Sequence, residues 1–452
     1  MSLMMNDYLE CLSRGYGHSN KLICHDCVSD YALTSFIKAN GKIQTCSYCK
    51  KRKKSIPLEE LMAPIMDGIR FMYSRAIDEL PVDEGEFVGN TYTTEDILSV
   101  VSGIIGPSFE EIIDDIISII GNEIWCDANP FDEAEDEIEF DQWQKFCTLV
   151  KEKMRYVFFE AKNDDAFGAS PIVILDFISA CINHIGLKTK IDKATKMYRC
   201  RMSKDEKYYS TITDFCPPPS EKTPAGRMNA QGIPVLYLAL DPDTAIMEVD
   251  TPDRQFASIA SYRVEDSISV LDLTKLETIK IPSIFDCEGR PKISTIRFLK
   301  RFNEQISQKP SIEQIDYVPT QIVTEYFRFL CRDKKSQFQG ILYNSSKNKG
   351  GKCLVLFLSR EEVINRKFGI HILPGRTMYY SKKYEWIPEE EKARLLYVER
   401  IIEETGKKTL SEVAKEAGLS KATTAQIFKR LQDQGLLEKS IDSIPSSLTT
   451  VP

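Results

Sequence analysis

The sequence predicts a multidomain α+β protein, and three patterns carry that expectation. Two Cys-x2-Cys knuckles, Cys24/Cys27 and Cys46/Cys49, lie near the start. From Leu58 to about Gly186 the apolar residues recur at helical spacing, and from about residue 191 to 375 short apolar strands alternate with helical segments. At 452 residues the chain exceeds what one core fills. The expected units are a small zinc-ribbon-like segment (1–56), an all-α domain (57–190), a mixed α/β domain (191–375), a winged helix-turn-helix (384–442) and a disordered tail (443–452).

An apolar fraction of 42% suits a soluble globular protein, and no apolar run approaches the ~20 residues that span a bilayer. The start, MSLMMNDYLECLSRGYG, has no apolar signal-peptide core, so a cytoplasmic location without membrane contact is expected. Thirteen cysteines, odd in number and scattered, fit reduced thiols plus a metal site better than a disulfide framework. The net charge of −8 is uneven: Glu110–Asp141 holds thirteen acidic residues and no Lys or Arg, and the chain without it would be net positive. A solvated helix face and loop is the plain reading of that block, and a docking surface for a basic partner is its rival.

Cys24, Cys27, Cys46 and Cys49 together present four thiolates, the donor set of tetrahedral zinc. Four thiolates leave no open position for water, so the metal is expected to hold together a segment too small for its own core. His25 is a substitute ligand by type, but the cysteines already fill the site. Lys50–Lys54, KKRKK, follows and reads as a solvated linker, with nucleic acid or the acidic block as alternative contacts. Beyond it, Leu61, Ile65, Ile69 and Met72 form one helical stripe, and Ile112, Ile113, Ile116, Ile117 and Ile120 another. Breaks are expected at Gly106-Pro107, Asn129-Pro130 and Ser170-Pro171.

The α/β segment centres on Gly226–Asp250, GRMNAQGIPVLYLALDPDTAIMEVD. Ile233–Leu240 reads as a buried strand, after which Asp243 or Thr244 can cap a helix carrying Glu248. A carboxylate in an apolar turn is costly unless paired or used. An ion pair with Arg227 or exposure to solvent is the bland alternative. Ile268–Leu273 and Lys352–Leu358 read as strands, and Ile293–Gln305 and Pro319–Leu330 as helices. Pro217-Pro218-Pro219-Ser220 makes a stiff loop, either a cover for substrate or a surface connector.

Four pieces in order resemble the RES-domain family of toxin-like enzymes that break down NAD, named for Arg, Glu and Ser: Tyr198-Arg199, the Gly226–Asp250 block, Tyr317–Arg328 (YVPTQIVTEYFR), and Gly340–Ser346 (GILYNSS). The chain departs from the usual pattern at Met228 and Ala230. The resemblance implies an ADP-ribosyltransferase-like fold gripping NAD in a cleft. It also implies cleavage of the nicotinamide–ribose bond with phosphate or water as acceptor, as an NAD phosphorylase or NAD glycohydrolase in a toxin–antitoxin or defence setting. Glu248, Arg227 and Ser345 would then be catalytic, with Glu248 stabilising the cationic ribose and Ser345 orienting it or touching ribose; Ser346 is the neighbouring alternative. Tyr198, Arg199, Asn229 and Tyr237 would bind substrate, the arginines on pyrophosphate, the tyrosines on a ring and Asn229 on ribose. Tyr237 as core and Tyr198 as edge cover are the plain alternatives. Transfer of ADP-ribose to a macromolecule is a further reading. A toxin would also call for a neutralising protein partner or an inactive resting form, and both monomer and oligomer stay open.

The helical segment resembles the HEPN-like domain found before some RES domains. Active HEPN ribonucleases pair an Arg with a His on one helix; here the segment's one histidine, His184, has no Arg in the preceding turns, which argues against RNA cleavage. Near the C-terminus, Leu410, Val413, Ala414 and Ala417, a turn at Gly418, and Ala425, Ile427, Phe428 and Leu431 resemble the winged helices of transcription regulators. Ser420, Lys421, Thr423, Thr424 and Gln426 would front the recognition helix. With ten basic and twelve acidic residues over 385–442, this module has no broad phosphate-binding face, so DNA and protein are equal expectations as its partner, and a DNA-binding regulator with an inactive or nucleotide-sensing RES domain is the alternative function.

Overall fold

The computed structural model describes residues 3–100, 110–157, 170–204, 209, 211–250, 256–308, 313–330 and 338–379, with 413–415 and 424 as isolated positions. The disordered-tail expectation and nearly all of the helix-turn-helix residues lie outside the described residues; Val413, Ala414 and Thr424 are buried.

The N-terminal part begins with α1 (Leu3–Arg14), followed by β1 (Leu22–Cys24), α2 (Tyr31–Asn40), β2 (Lys42–Thr45) and β3 (Arg52–Pro57). The three strands form an antiparallel sheet in the order β1-β3-β2. The basic run Lys50–Lys54 is therefore no linker, because most of it builds the central strand. α3 (Leu58–Met72) buries Leu61, Ile65 and Ile69, as its stripe requires. Then come β4 (Tyr73–Arg75), α4 (Ala76–Glu79), the hairpin β5 (Val82–Asp83) and β6 (Glu86–Phe87), β7 (Tyr92–Thr93), α5 (Thr94–Val100), α6 (Glu110–Ile120) and β8 (Ile124–Asp127). The stretch expected to be all helix thus carries a three-stranded sheet, β4-β8-β7, which helical spacing does not register because each strand is too short to show a period of two. The ribbon shares one core with this part: Ile23, Leu33 and Ile37 pack with Leu61, Ile65, Ile112, Ile116 and Trp125. The acidic block is partly engaged, with Lys21 Nζ 3.0 Å from Glu111 and 2.6 Å from Asp115.

α7 (Glu135–Thr148), continued as a π turn to Lys153, and α8 (Pro171–Ile185) lead into the large sheet. Its elements are β9 (Lys188–Ile191), β10 (Met197–Ser203), α9 (Ile212–Phe215), β11 (Leu236–Ala239), α10 (Pro242–Val249), β12 (Phe256–Arg263), β13 (Ile268–Asp272), α11 (Lys275–Thr278), α12 (Ile293–Ser307), α13 (Glu313–Asp316), α14 (Val318–Glu325), β14 (Gly340–Asn344), β15 (Lys352–Leu356), α15 (Arg360–Ile364) and β16 (His371–Tyr379). Eight strands run in the order β16-β12-β10-β11-β15-β14-β13-β9, mixed because β13 and β14 are parallel. Both faces are buried, which is why these strands read as continuous apolar runs. Tyr237, Ile341, Tyr343, Cys353 and Val355 face a core shared with Trp143, Phe146, Ile178, Phe298 and Phe302 of the helices. Leu236, Leu238, Leu342, Leu354 and Leu356 face the opposite core.

A connector before α12 clamps the N-terminal part to the sheet domain. Phe285 sits in the N-terminal core, the Tyr31 hydroxyl donates to Asp286 at 2.6 Å, and Arg290 pairs with Asp67 at 2.7 Å. Phe285 fits because Gly68 has no side chain: a Cβ there would stand 2.5 Å from the ring. Gly68→Ala should therefore destabilise the protein by about 1–3 kcal/mol in urea unfolding, and unchanged stability would contradict the docking. No helix among the described residues is long and apolar enough to cross a membrane.

Candidate functional site

β10 and β11 meet at one pair, Tyr198 with Ala239. Beside that single pair the sheet holds a cavity of about 520 Å³, within the range of small-molecule sites of about 300–1,000 Å³. Tyr198, Arg199, Arg227, Tyr237 and Glu248 all line it, so five of the seven residues expected to act on or bind NAD come together. The Pro217–Pro219 loop does not border it, which leaves the connector reading.

Arg199 projects from β10. Its guanidinium makes no hydrogen bond or ion pair among the described residues, and Nη1 is buried without a partner. Burial lowers the pKa of this group, a measure of how poorly the surroundings compensate its charge. Arg227 stands at the tip of a tight turn closed by Gly226 N–H to Asn229 O at 2.9 Å. That turn is fastened from two sides. The Thr320 hydroxyl donates to the Arg227 carbonyl at 2.7 Å and the Gln321 amide to the Gly226 carbonyl at 2.8 Å, both from the first turn of α14. From the sheet, the Tyr237 hydroxyl accepts from Met228 N–H at 3.0 Å and donates to Asn229 Oδ1 at 2.9 Å. A Cβ on Gly226 would lie 2.6 Å from that oxygen, so the turn requires glycine.

Two expectations change here. Asn229 is buried, gives both amide hydrogens to the carbonyls of Pro224 and Ala230, and does not line the cavity, so it shapes the Arg227 turn instead of meeting ribose. Tyr237 spends its hydroxyl on the same turn while one side of it borders the cavity; burial pushes its pKa up, so it stays neutral.

Glu248 lies near the end of α10, whose cap is Asp241 rather than Asp243 or Thr244. Pro242 takes the first helical position, and the Asp241 carboxylate accepts from Thr244 N–H at 2.7 Å. No ion pair joins Glu248 to Arg227. Its Oε1 accepts from the Ser345 hydroxyl at 2.5 Å and from the Cys353 thiol at 3.4 Å. Burial and the adjacent carboxylate push the Cys353 pKa up, so this partner remains a neutral donor. Ser345 follows the end of β14 and does not line the cavity; its Oγ also accepts from Asn348 N–H at 2.9 Å, which fixes it toward Glu248, while Ser346 borders the space. Sequence reasoning missed Arg201, Tyr317, Lys347 and Cys353 on the cavity wall. Alternation along β10 from Arg199 was the available signal for Arg201. Tyr317 lies 5.9 Å below the Arg227 guanidinium, and Lys347 Nζ is held 2.6 Å from the Glu248 carbonyl.

A cavity with several cations, one carboxylate and tyrosine walls, set in a mixed sheet, defines an α/β domain suited to an anionic small molecule. Three protein-family models match the chain: HEPN/RES N-terminal domain 1 over residues 39–164, RES domain over 196–368, and Winged helix-turn-helix DNA-binding over 400–438. The chain thus carries a RES domain between a HEPN-type N-terminal domain and a winged helix, in the order expected. A RES domain supports an NAD-acting enzyme in general, and the winged helix suggests DNA binding. No curated protein and no solved structure matches the chain.

The second site is the cysteine cluster. The sulfurs of Cys24, Cys27, Cys46 and Cys49 lie within 4.8 Å of one another, with three separations of 3.5, 3.6 and 3.7 Å. Thiolates at ~2.3 Å from a tetrahedral ion stand about 3.8 Å apart, so the cluster could bind zinc with little movement. His25 contacts the Lys54 carbonyl and Asp26 instead.

Two outcomes follow. Tyr237→Phe removes the partner of a buried N–H and a buried carbonyl oxygen, and should cost about 1–3 kcal/mol in chemical unfolding; a neutral effect would mean the turn does not depend on it. The purified protein should contain one zinc per chain by elemental analysis, lost in Cys27→Ser, and a metal-free wild type with a native fold would contradict the assignment.

Proposed function

We propose that the protein consumes NAD, breaking the bond between ribose C1′ and the nicotinamide nitrogen. The observation that supports this reading is the Arg199 guanidinium, unpaired among the described residues, on a cavity wall shared with Arg227 and Glu248. A half-buried guanidinium with no counter-ion among the described residues calls for an anionic ligand, and a pyrophosphate offers pairs of oxygens to arginine forks. The bonding pair leaves with nicotinamide, which becomes neutral, while positive charge develops on ribose. The Glu248 carboxylate is held by the neutral donors Ser345 and Cys353 and forms no ion pair among the described residues, so its charge can stabilise the ribose. Water or phosphate then adds at C1′; with water, the proton passes to solvent or to a nearby base. Tyr198 and Tyr317 supply surfaces for the rings. Zinc in this reading is structural, and the site of action is cytoplasmic.

A second reading rests on the match over residues 400–438: the winged helix binds DNA, so that the enzyme regulates its own expression or is delivered to a site on DNA. This would fit a toxin or defence role with a neutralising protein partner.

The test is incubation with NAD, with and without phosphate, and product identification by mass spectrometry. Free nicotinamide should appear, with ADP-ribose in water and ADP-ribose phosphate where phosphate is the acceptor; label on protein or nucleic acid would instead mark macromolecular transfer. Glu248→Gln should slow release by ~10²–10³, and Ser345→Ala by ~10–100-fold through loss of a hydrogen bond to a charged group. Nicotinamide release unchanged in Glu248→Gln would overturn the assignment.

A further inference from the structure

Residues 38–54 hold Lys38, Lys42, Lys50, Lys51, Arg52, Lys53 and Lys54 and no Asp or Glu, within a chain whose net charge is −8. The fold turns this run into a surface. β3 is the central strand of the ribbon and β2 lies at its edge. Register sets Ile43 opposite Lys54 and Thr45 opposite Arg52, so these four share one face. All four are exposed, Ile43 by 65%, and Lys50 and Lys51 are exposed in the knuckle that enters β3.

Little neutralises these charges. Lys53 pairs with Asp26, whereas the Lys50 and Lys54 ammonium groups rest on the Ser47 and Lys38 carbonyls. Among the described residues no carboxylate pairs with Lys38, Lys42, Lys50, Lys51, Arg52 or Lys54. The part of the acidic block that forms ion pairs near the ribbon does so elsewhere, at Lys21 through Glu111 and Asp115 and at Arg75 through Glu123. The run is also rigid: Cys46 N–H donates to the Lys51 carbonyl at 3.0 Å and Lys50 N–H to the Cys46 carbonyl at 3.1 Å, inside the cysteine cluster.

Like charges held together on a stiff strand repel one another, and a partner with a regular row of anions relieves that cost. Same-face residues on a strand stand about 6.8 Å apart, close to twice the ~3.4 Å rise per phosphate along one nucleic-acid strand. An acidic polypeptide offers charge without that regular spacing, and the family match at residues 400–438 is to a DNA-binding winged helix, which suggests a nucleic-acid partner for this chain. We propose that the exposed β2–β3 face binds the phosphodiester backbone of nucleic acid without reading its sequence. This does not depend on the NAD reading.

The test uses the full zinc-loaded chain and fluorescence anisotropy over a salt series, with labelled single-stranded DNA, single-stranded RNA and duplex DNA of one sequence, and polyglutamate as the acidic-polypeptide probe. Lys51→Ser/Arg52→Ser/Lys54→Ser should reduce the slope of log affinity against log salt by ~2–3 and weaken binding at least ~10-fold for every sequence tried. Lys421→Ser/Lys429→Ser/Arg430→Ser should leave that ribbon contribution in place. The DNA, RNA and duplex arms identify which backbone is preferred. Should the triple variant lose zinc, Lys51→Ser and Arg52→Ser are read singly, each expected to lower the slope by ~0.7–0.9. Unchanged nucleic-acid binding in zinc-loaded ribbon variants, or loss confined to polyglutamate, would overturn the proposal.

Discussion

A guanidinium held at a sheet split with no counter-ion among the described residues is an expensive thing to fold, and Arg199, whose Nη1 is buried without a partner, is in that position. Desolvating a charge costs several kcal/mol unless something answers it. The surroundings do not answer it: Tyr237 is committed to the Arg227 turn, and Glu248 is held by Ser345 and Cys353. Arg199 is half-buried, its Nη1 fully so, and it faces the cavity. An anion entering that space would supply a partner to Arg199, which is how a site acquires affinity before any reaction begins.

The reactive end follows a different electrostatic rule. A glutamate paired to an arginine would have its field spent in the resting state. Here the carboxylate's donors are a hydroxyl and a thiol, which fix its orientation without an ion pair among the described residues. The helices share in this arrangement. Lys151, beyond α7, pairs with Asp316 at 2.9 Å; Asp316 ends α13, next to Tyr317 on the cavity wall, and α14 then bonds the Gly226 and Arg227 carbonyls. The helices packed on the sheet thus brace the cavity wall, and the Phe285 clamp joins the N-terminal part to that domain.

Much of this was legible in residue order. The cysteine spacing, the α3 stripe, and the central strand and helix follow from local pattern, while the grouping of Arg199, Arg227 and Glu248 was implied by the resemblance to the RES family. What escaped were features made by tertiary contact. Asn229 reads as a ribose donor because its type suits ribose, and only the turn shows that both its hydrogens are taken. The short strands around Trp125 carry no period, and the basic run reads as a linker because charge patterns do not reveal that the knuckles fold it into a sheet. Asp241 was passed over as a cap although the following proline marks the first helical position.

The most direct measurement is the rise in unfolding temperature that ADP-ribose gives the full chain, compared between wild type and Arg199→Met. Methionine removes the unanswered charge and keeps an apolar stem, so the variant should be at least as stable as wild type without ligand and should lose the ligand-induced rise. An equal rise in both proteins would mean that the pyrophosphate does not depend on Arg199, and the electrostatic account of this cavity would fall.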